Sequence, residues 1–461
     1  MNFKQEYLDI ARFAVEKAQK AGAGVAAEAF VSDTESIQVT VNARAVEQMS
    51  AVKEAGIGVR VLQDGKMAFG STNDLAKEAV RGLVEGLVKK VVYHTADEFN
   101  VIPTNEDGAL SADRAGYEDL GSYDPRIAEV PVQEKIQTAL KMEAAGLDFS
   151  PKITGSMMVV YQDGTSFNYL ANSNGISGWF RQSGCGAGLE FSAAEGESRE
   201  SGSFSKTVVK WSDFDPGEVG KKAAEKAVAM LGAKPIPSAE MPLVVSPEIG
   251  VQLWSFIAGM LSADEVQKGR SLFADKVGAE VAAKGFTLID DGRLKGQLST
   301  APVDGEGVAT QTTPLIVDGV LKTYLYDCYC AKKGKAKSTG NRSRGGYGSA
   351  GGVGTTNLYL QPGDVAPEAI FAGVDRGFYL TVVLGLFAAI DPASGDFSIP
   401  SAGFMIEKGA KTFPVRGVTV GGNLFELLKA VDKVGNDLTW FQNVASPTFA
   451  VKSVKIGGSG K

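Results

Sequence analysis

Histidine and cysteine, the residues that most often hold zinc or form a catalytic nucleophile–base pair, are rare in this sequence. The chain has one histidine, His94, and three cysteines, Cys185, Cys328 and Cys330. A metallopeptidase helix of the His-Glu-x-x-His type needs two histidines, so this chain cannot supply such a helix. An independent thiol hydrolase could use only Cys328 or Cys330 together with His94, and it stays open as an alternative function.

The two neighbouring cysteines have a simpler interpretation. Cys328 and Cys330 lie in a segment typical of a strand, where alternate side chains share one face. A metal site there would need a further soft ligand, and only Cys185 or His94 is left to provide it. We expect two half-buried thiols in a strand. His94 follows an amphipathic helical segment, and a polar residue at a helix end is its simpler interpretation.

Several carboxylates are spaced closely enough for acid–base chemistry. Asp290 and Asp291 are adjacent, and Asp304 and Glu306 flank Gly305. Paired carboxylates can exchange protons with a substrate. The glycines beside them favour a turn, because Asp-Gly pairs are common in tight hairpins.

A basic, glycine-rich segment spans residues 332–357. It contains four Lys, two Arg and eight Gly, and no acidic residue. We expect a mobile surface loop without a core of its own. Its backbone N–H groups and cations could alternatively cradle an anion, a peptide carboxylate or the surface of a partner protein.

Composition argues against several further classes of protein. The net charge is −7, which argues against binding to nucleic acid or to anionic lipid. No stretch approaches 18 consecutive apolar residues, so we expect no membrane association. An odd cysteine count with no disulfide framework is typical of a reducing compartment, and we predict a cytoplasmic protein.

The element pattern predicts an α+β protein of two domains. A helix over 5–22, strands over 25–32, 35–43 and 55–63, and a helix over 74–92 indicate an antiparallel sheet with helices. A meander follows over 152–161, 165–171, 176–182 and 186–193, with Asp163-Gly164 as one of its turns. The predicted units are an N-terminal α+β domain (1–232), a proline-containing linker (233–239) and a C-terminal β-rich domain (240–461).

Several phrases of the second half resemble a known family. They are GRSLFADKVG from residue 269, VDGEGV, LIVDGVLKTYLYD, STGNRSR, TTNLYLQPGD and GNLFELLKAV. In order and spacing this half resembles the TldD/PmbA family, also labelled modulators of DNA gyrase. The resemblance implies a relationship to a bacterial cytoplasmic zinc metallopeptidase that is built from TldD and TldE (or PmbA) subunits.

The same resemblance implies that this chain is a TldE/PmbA-type subunit without zinc. In TldD-type members a His-Glu-x-x-x-His helix and a cysteine near the C-terminus hold the metal. The helix positions fall here on Trp254, Ser255 and Gly259, and residues 444–447 contain no cysteine. We therefore expect no catalytic residue, metal or cofactor in this chain, with zinc only in a TldD-type partner.

In the family the two subunit types form a heterodimer around a chamber for unfolded peptides, and the isolated chain is expected to pair with itself. An alternative is a binding protein that regulates DNA gyrase or its toxin. The polar residues in family-like phrases that we predict to contact peptide or partner are Arg270, Asp304, Glu306, Tyr326, Asn341, Arg342 and Arg344.

Overall fold

The N-terminal half is a six-stranded antiparallel sheet covered by helices on one face. The structure, a computed structural model, describes residues 2–112 and 116–459. The strands run in the order β3-β2-β1-β4-β5-β6. The elements of this half are α1 (Gln5–Ala21), β1 (Ala26–Asn42), β2 (Ala45–Gln63), β3 (Lys66–Thr72), α2 (Lys77–Val91), α3 (Arg126–Glu129), α4 (Val132–Leu147), β4 (Ile153–Asn172), β5 (Ser177–Glu195), β6 (Ser198–Val208) and α5 (Pro216–Ala229).

This half consists of two copies of one structural unit. Each unit is a helix, three antiparallel strands and a helix, and the two units meet where β1 pairs with β4. Gly56 and Gly58 in β2 correspond to Gly186 and Gly188 in β5, and Asp33 corresponds to Asp163 at the same offset. Both aspartates are buried, and each pairs with a lysine from the N-terminal part of its own unit.

One predicted strand break and one predicted turn are absent, because their polar residues are buried inside strands. The predicted strands 25–32 and 35–43 are one strand, β1, in which Asp33 pairs with Lys4 at 2.8 Å. Asp163-Gly164 lies inside β4, where Asp163 accepts hydrogen bonds from Lys135 Nζ at 2.9 Å and from Tyr161 Oη at 2.6 Å. The expected exposed turn was therefore wrong.

The two faces of the sheet differ. Helices α1 and α2 pack over one end of the first face and α4 and α5 over the other, forming two apolar cores. The opposite face holds Glu28, Phe30, Arg60 and Leu170, because cross-strand partners share one side of a sheet. This second face meets the C-terminal half.

The C-terminal half contains two six-stranded sheets and a short hairpin. The strands β16, β15, β14, β7 and β20 close on themselves through a β16–β20 pairing, with β17 at the side, and the second sheet has the order β10-β9-β8-β13-β19-β18. The strands are β7 (Pro237–Val245), β8 (Leu288–Asp291), β9 (Thr312–Val317), β10 (Val320–Leu321), β11 (Arg342–Ser343), β12 (Gly352–Val353), β13 (Leu358–Leu360), β14 (Arg376–Val383), β15 (Asp396–Glu407), β16 (Ala410–Asn423), β17 (Val431–Val434), β18 (Thr439–Phe441), β19 (Val444–Ser446) and β20 (Phe449–Ser459).

Most helices of this half are shorter than those of the N-terminal half, and the longest of them, α6, is central to its core. The predicted α+β class, with a β-rich second half, is confirmed. The helices are α6 (Pro247–Met260), α7 (Ala263–Gln267), α8 (Cys328–Gly334), α9 (Pro367–Ala372), α10 (Leu386–Ala389) and α11 (Leu424–Lys429).

The predicted linker and the predicted basic loop are partly structured. Pro237 already pairs with Ser459 in β7, so residues 237–239 are strand; the predicted division into two domains stays a prediction. The expectation of a mobile loop over 332–357 is wrong, because the segment contains the end of α8 and the β11–β12 hairpin and crosses to the N-terminal sheet. Of the helices in the described part of the chain, none has the length and apolarity that a bilayer span requires.

Residues 332–357, called the crossing segment below, explain why glycine occurs at two positions of β2. A Cβ at Gly56 would lie 2.4 Å from the Tyr347 ring, and one at Gly58 would lie 2.2 Å from the Tyr347 backbone oxygen. The Tyr347 hydroxyl also donates to Glu54 at 2.5 Å. At the corresponding Gly188 a Cβ would meet only Met158, at 3.7 Å. The glycines of β2 therefore make room for the segment.

This asymmetry predicts opposite outcomes for two matched alanine substitutions. Gly58→Ala should lower the free energy of unfolding by roughly 1–3 kcal/mol, since the backbone of the crossing segment must move. Gly188→Ala, the control at the equivalent position, should be neutral or slightly stabilising. Urea denaturation of both variants measures the difference, and equal stability of the two would contradict the packing described for Tyr347.

Candidate functional site

A polar cavity of about 240 Å³ lies between the two halves. Its floor is the second face of the N-terminal sheet, and its walls are loops of the C-terminal half. Floor residues come from β1, β4 and β5, and wall residues from 299–310, 340–346 and 354–356. The lining residues used below are Phe30, Asn168, Phe180, Gln182, Asp304, Asn341, Arg342 and Arg344.

Strand register brings the floor residues together. Asn168 pairs with Phe180 across β4 and β5, and Ser166 pairs with Gln182 one step further. Since paired residues share a face, Asn168, Phe180 and Gln182 all lie toward the C-terminal half. Gln182 Nε2 donates to the Thr300 carbonyl at 3.1 Å, which fixes a wall loop to the floor.

Asp304 organises the opposite wall. Its Oδ1 accepts hydrogen bonds from the backbone N–H groups of Glu306 and Val308, both at 3.0 Å, and its Oδ2 accepts from the N–H of Arg342 at 3.0 Å. The predicted turn at Asp304-Gly305 is present, and the carboxylate ties it to the crossing segment. Asp304 is therefore held by backbone donors and not by a cation.

A buried network of ions joins the two halves beside the cavity. Arg60 donates to Glu28 at 2.9 Å, both from the sheet, and pairs with Glu306 of the C-terminal half at 3.4 Å. Arg344 crosses in the other direction and also binds Glu28. Glu306 Oε1 accepts a hydrogen bond from the N–H of Cys328 at 2.8 Å. The four charged side chains are 3% exposed or less, so water screens them little.

Arg342, the other arginine of the crossing segment, also has an acceptor for each of its guanidinium nitrogens. Arg342 Nη1 donates to Asp327 at 2.7 Å, while its Nε and Nη2 both donate to the Ala350 carbonyl. Arg344 uses Nε for the Gly305 carbonyl and Nη1 for that of Ser349. Each guanidinium nitrogen thus has an acceptor within the chain, and the suggested anion cradle has no free arginine.

The buried carboxyl groups fall into two groups, because the pKa of Glu28 is lowered whereas those of Asp304 and Asp290 are raised. Burial opposes ionisation of Glu28, but Arg344, Arg60 and Arg342 outweigh it and hold its pKa below the usual range. Burial raises the pKa of Asp304, and repulsion from Glu306 adds to that rise. Burial also raises the pKa of Asp290 to about 6, against hydrogen bonds from Asn341 and Thr356.

Five of the seven predicted contact residues converge here. Asp304, Asn341, Arg342 and Arg344 line the cavity, and Glu306 lies in the adjoining network. Their predicted contact with peptide stays a prediction.

The other two predicted residues lie elsewhere. Arg270 is exposed and pairs with Glu265. The ring of Tyr326 packs against Tyr324, at 6.3 Å between centroids.

Sequence reasoning missed the half of the site that belongs to the sheet. Glu28, Arg60 and Asn168 lie in strands of the first half, far from the family-like phrases. Charged residues at positions within apolar, alternating strands were the available signal: Glu28 stands between buried alanines, and Arg60 between buried valines.

The cysteines are poorly placed for nucleophilic chemistry. Cys328 and Cys330 begin helix α8, not a strand, because Asp327 caps the helix by accepting from the N–H of Cys330 at 2.8 Å. Both thiols are buried, and burial together with nearby carboxylates raises the pKa of each. His94 is exposed. These features argue against the thiol-hydrolase alternative, since the reactive form is the thiolate.

Helix α6 carries the positions that the resemblance assigns to a metal. Trp254 is completely buried between Phe286 and Phe449, with ring centroids 5.3 and 5.1 Å away. Ser255 donates its hydroxyl to the Val251 carbonyl at 2.7 Å, and Gly259 is exposed.

Neighbouring elements offer no ligand set for a metal either. Helix α6 packs against β19, where Ser446 is buried and bonds to the Pro447 carbonyl. Within residues 2–112 and 116–459 no three His, Cys, Asp or Glu side chains are grouped so that they could hold a metal ion. An indole, a hydroxyl and a glycine do not provide the nitrogen, sulfur and carboxylate ligands that zinc prefers, so these residues do not fit the ion.

Comparison with known proteins decides the family. Three models described as PmbA/TldA metallopeptidase domains match residues 27–91, 125–231 and 238–458. The chain belongs to the PmbA/TldD family. The PmbA homologue of Haemophilus influenzae, named a metalloprotease, is 25% identical, and the match covers 99% of this chain and 97% of that protein.

Solved structures agree with this family assignment. A Bacteroides thetaiotaomicron protein assigned as a modulator of DNA gyrase has a TM-score of 0.89 and 25% identity, covering 99% of this chain and 100% of its own. TldE from Thermococcus kodakarensis shares the fold, with a TM-score of 0.85 and 20% identity over 97% of this chain and 100% of its own.

The buried network predicts a large penalty for removing its central acid. Glu28→Gln leaves Arg344 without its acidic partner and Arg60 with Glu306 alone, and should lower the free energy of unfolding by about 3–5 kcal/mol near neutral pH. Glu200→Gln removes a more exposed contact between the halves, the 2.8 Å pair with Arg416, and should cost less than about 1 kcal/mol.

Lowering the pH should reduce the difference in stability between the Glu28 and Glu200 variants. The pKa of Glu28 is lower in the folded chain than its ordinary 4.5, so its stabilising contribution is present above pH 4.5 and is lost as the pH falls toward the lowered pKa. Urea titrations of the wild type and both variants at pH 7 and pH 4 measure this trend. A Glu28 variant as stable as the Glu200 variant at pH 7 would contradict the network.

Proposed function

We propose that this chain is the non-catalytic, TldE/PmbA-type subunit of a cytoplasmic TldD/TldE-type metallopeptidase that degrades unfolded peptides. One observation carries the proposal: the helix positions that bind metal in TldD-type relatives hold a buried tryptophan, a serine bonded to its own helix and an exposed glycine. A zinc peptidase needs the ion to polarise the scissile carbonyl and to activate water. The metal and the bond breaking therefore belong to a TldD-type partner.

The contribution of this subunit would be to shape the chamber and to hold the substrate. The polar cavity between the halves offers amide and hydroxyl side chains, which suit the amide groups of a peptide. Apart from a bridge between Lys66 and Ala96, the outer side of the edge strand β3 is unpaired within the described part of the chain, and an extended peptide could add there as a further strand. Both features leave the chemistry to the partner.

Reconstitution tests the proposal. Purified chain, a TldD-type partner and the 1:1 mixture are each incubated with zinc and an unfolded, fluorogenic peptide. The mixture should cleave at least several times faster than the partner alone, and this chain alone should not cleave. A chelator should abolish the activity of the mixture.

Two results would overturn the proposal. Chelator-sensitive cleavage by this chain alone would show that it holds its own catalytic metal. A partner that is as active alone as in the mixture, at concentrations where the two bind each other, would show that this chain does not complete the chamber.

A further inference from the structure

Two carboxyl groups at the cavity between the halves have no cationic partner within residues 2–112 and 116–459. Glu28, Glu306 and Asp327 each pair with an arginine, whereas Asp304 and Asp290 pair with no cation in the described part of the chain. Asp304 lines the cavity, and Asp290 lies directly behind Asn341, whose Nδ2 donates to it at 2.7 Å. The arginines do not compensate, because Arg342 and Arg344 have acceptors for all their guanidinium nitrogens and Arg60 is already paired with Glu28 and Glu306.

Two asparagines that line the same cavity have carboxamide oxygens without a partner among the described residues. Asn341 is 3% exposed, and its Nδ2 donates to Asp290 and to the Gly354 carbonyl, which fixes the orientation of the amide. Its Oδ1 accepts no hydrogen bond from a described residue. Asn168 is 8% exposed, and its one hydrogen bond is a long donation to Ser166 at 3.4 Å, so its Oδ1 is equally free. Both oxygens are therefore available to accept hydrogen bonds from a ligand in the cavity.

We infer that the cavity binds a primary ammonium group, such as the N-terminal amine of a peptide or the end of a lysine side chain. The ammonium would donate its protons to the Oδ1 atoms of Asn168 and Asn341 and lie beside Asp304, whose ionised form the positive charge would favour. Phe30 and Phe180 on the floor would contact the apolar part of the same ligand. This inference deepens the proposed function, on which it rests, by naming the part of the substrate that this subunit recognises.

An ammonium group fits better than the alternatives. A bare metal ion would need several carboxylate or histidine ligands, and Asp304 is the one carboxylate that lines the cavity. A carboxylate would meet unpaired oxygens in place of donors. A volume of about 240 Å³ also leaves room for the residue attached to the amine.

Calorimetric titration of the isolated chain tests the inference without any partner or activity. The probes are leucinamide, which carries the amine, N-acetylleucinamide, which lacks it, and N-acetylleucine, which is an anion. Leucinamide should bind at least tenfold more tightly than the other two, because hydrogen bonds to a charged group are the stronger kind. Potassium and calcium chloride at equal concentration should not compete for the site.

Two substitutions locate the binding. Asn168→Leu should weaken leucinamide binding roughly tenfold or more, and Gln182→Leu provides a second variant if the first does not fold. Gln162→Leu is the matched control, since Gln162 lies on the same face of β4 but is exposed and outside the cavity. Its binding should equal that of the wild type.

A failure of the ammonium site can be distinguished from a failure of the proposed function. Equal binding of the three probes, no binding of leucinamide, or an equal effect of the Asn168 and Gln162 substitutions would overturn the ammonium site. The proposed function would survive any of these results, because it is judged by cleavage in the presence of a TldD-type partner.

Discussion

The structure depends on one buried set of ion pairs between its halves. Arg60 and Glu28 from the sheet meet Glu306 and Arg344 from the C-terminal loops, where almost no water reaches them. Taking such charges out of water is costly, so the network is favourable only when every partner is in place. It therefore specifies one relative position of the two halves, and the polar cavity exists because that position is fixed.

The same chain shows what a peptidase fold retains when its metal ligands are absent. In α6 the indole of Trp254 packs between two phenylalanines, so a position that would face an ion in TldD-type relatives contributes to the hydrophobic core. The polar chemistry of this chain is concentrated elsewhere, between the sheet and the crossing segment. In the proposed function this cavity holds the substrate and a TldD-type partner cleaves it.

The sequence allowed the class of fold, the first two helices and five of the residues around the site to be predicted, because periodicity and the family-like phrases are local signals. Errors came from tertiary contacts. Asp163-Gly164 has the composition of a turn but lies within a strand, where Lys135 compensates its charge. The basic segment has the composition of a mobile loop, yet Glu28, far away in sequence, pairs with Arg344. Pattern alone cannot show which distant residue will neutralise a charge.

The central claim is that this chain contributes a cavity and not a metal centre. Equilibrium dialysis of the purified, untagged chain against micromolar zinc, followed by elemental analysis, tests it most directly. The account predicts far less than one zinc per chain and no change on substituting Ser255 by alanine. One tightly held zinc per chain, bound by its own side chains and removed only by a strong chelator, would contradict it.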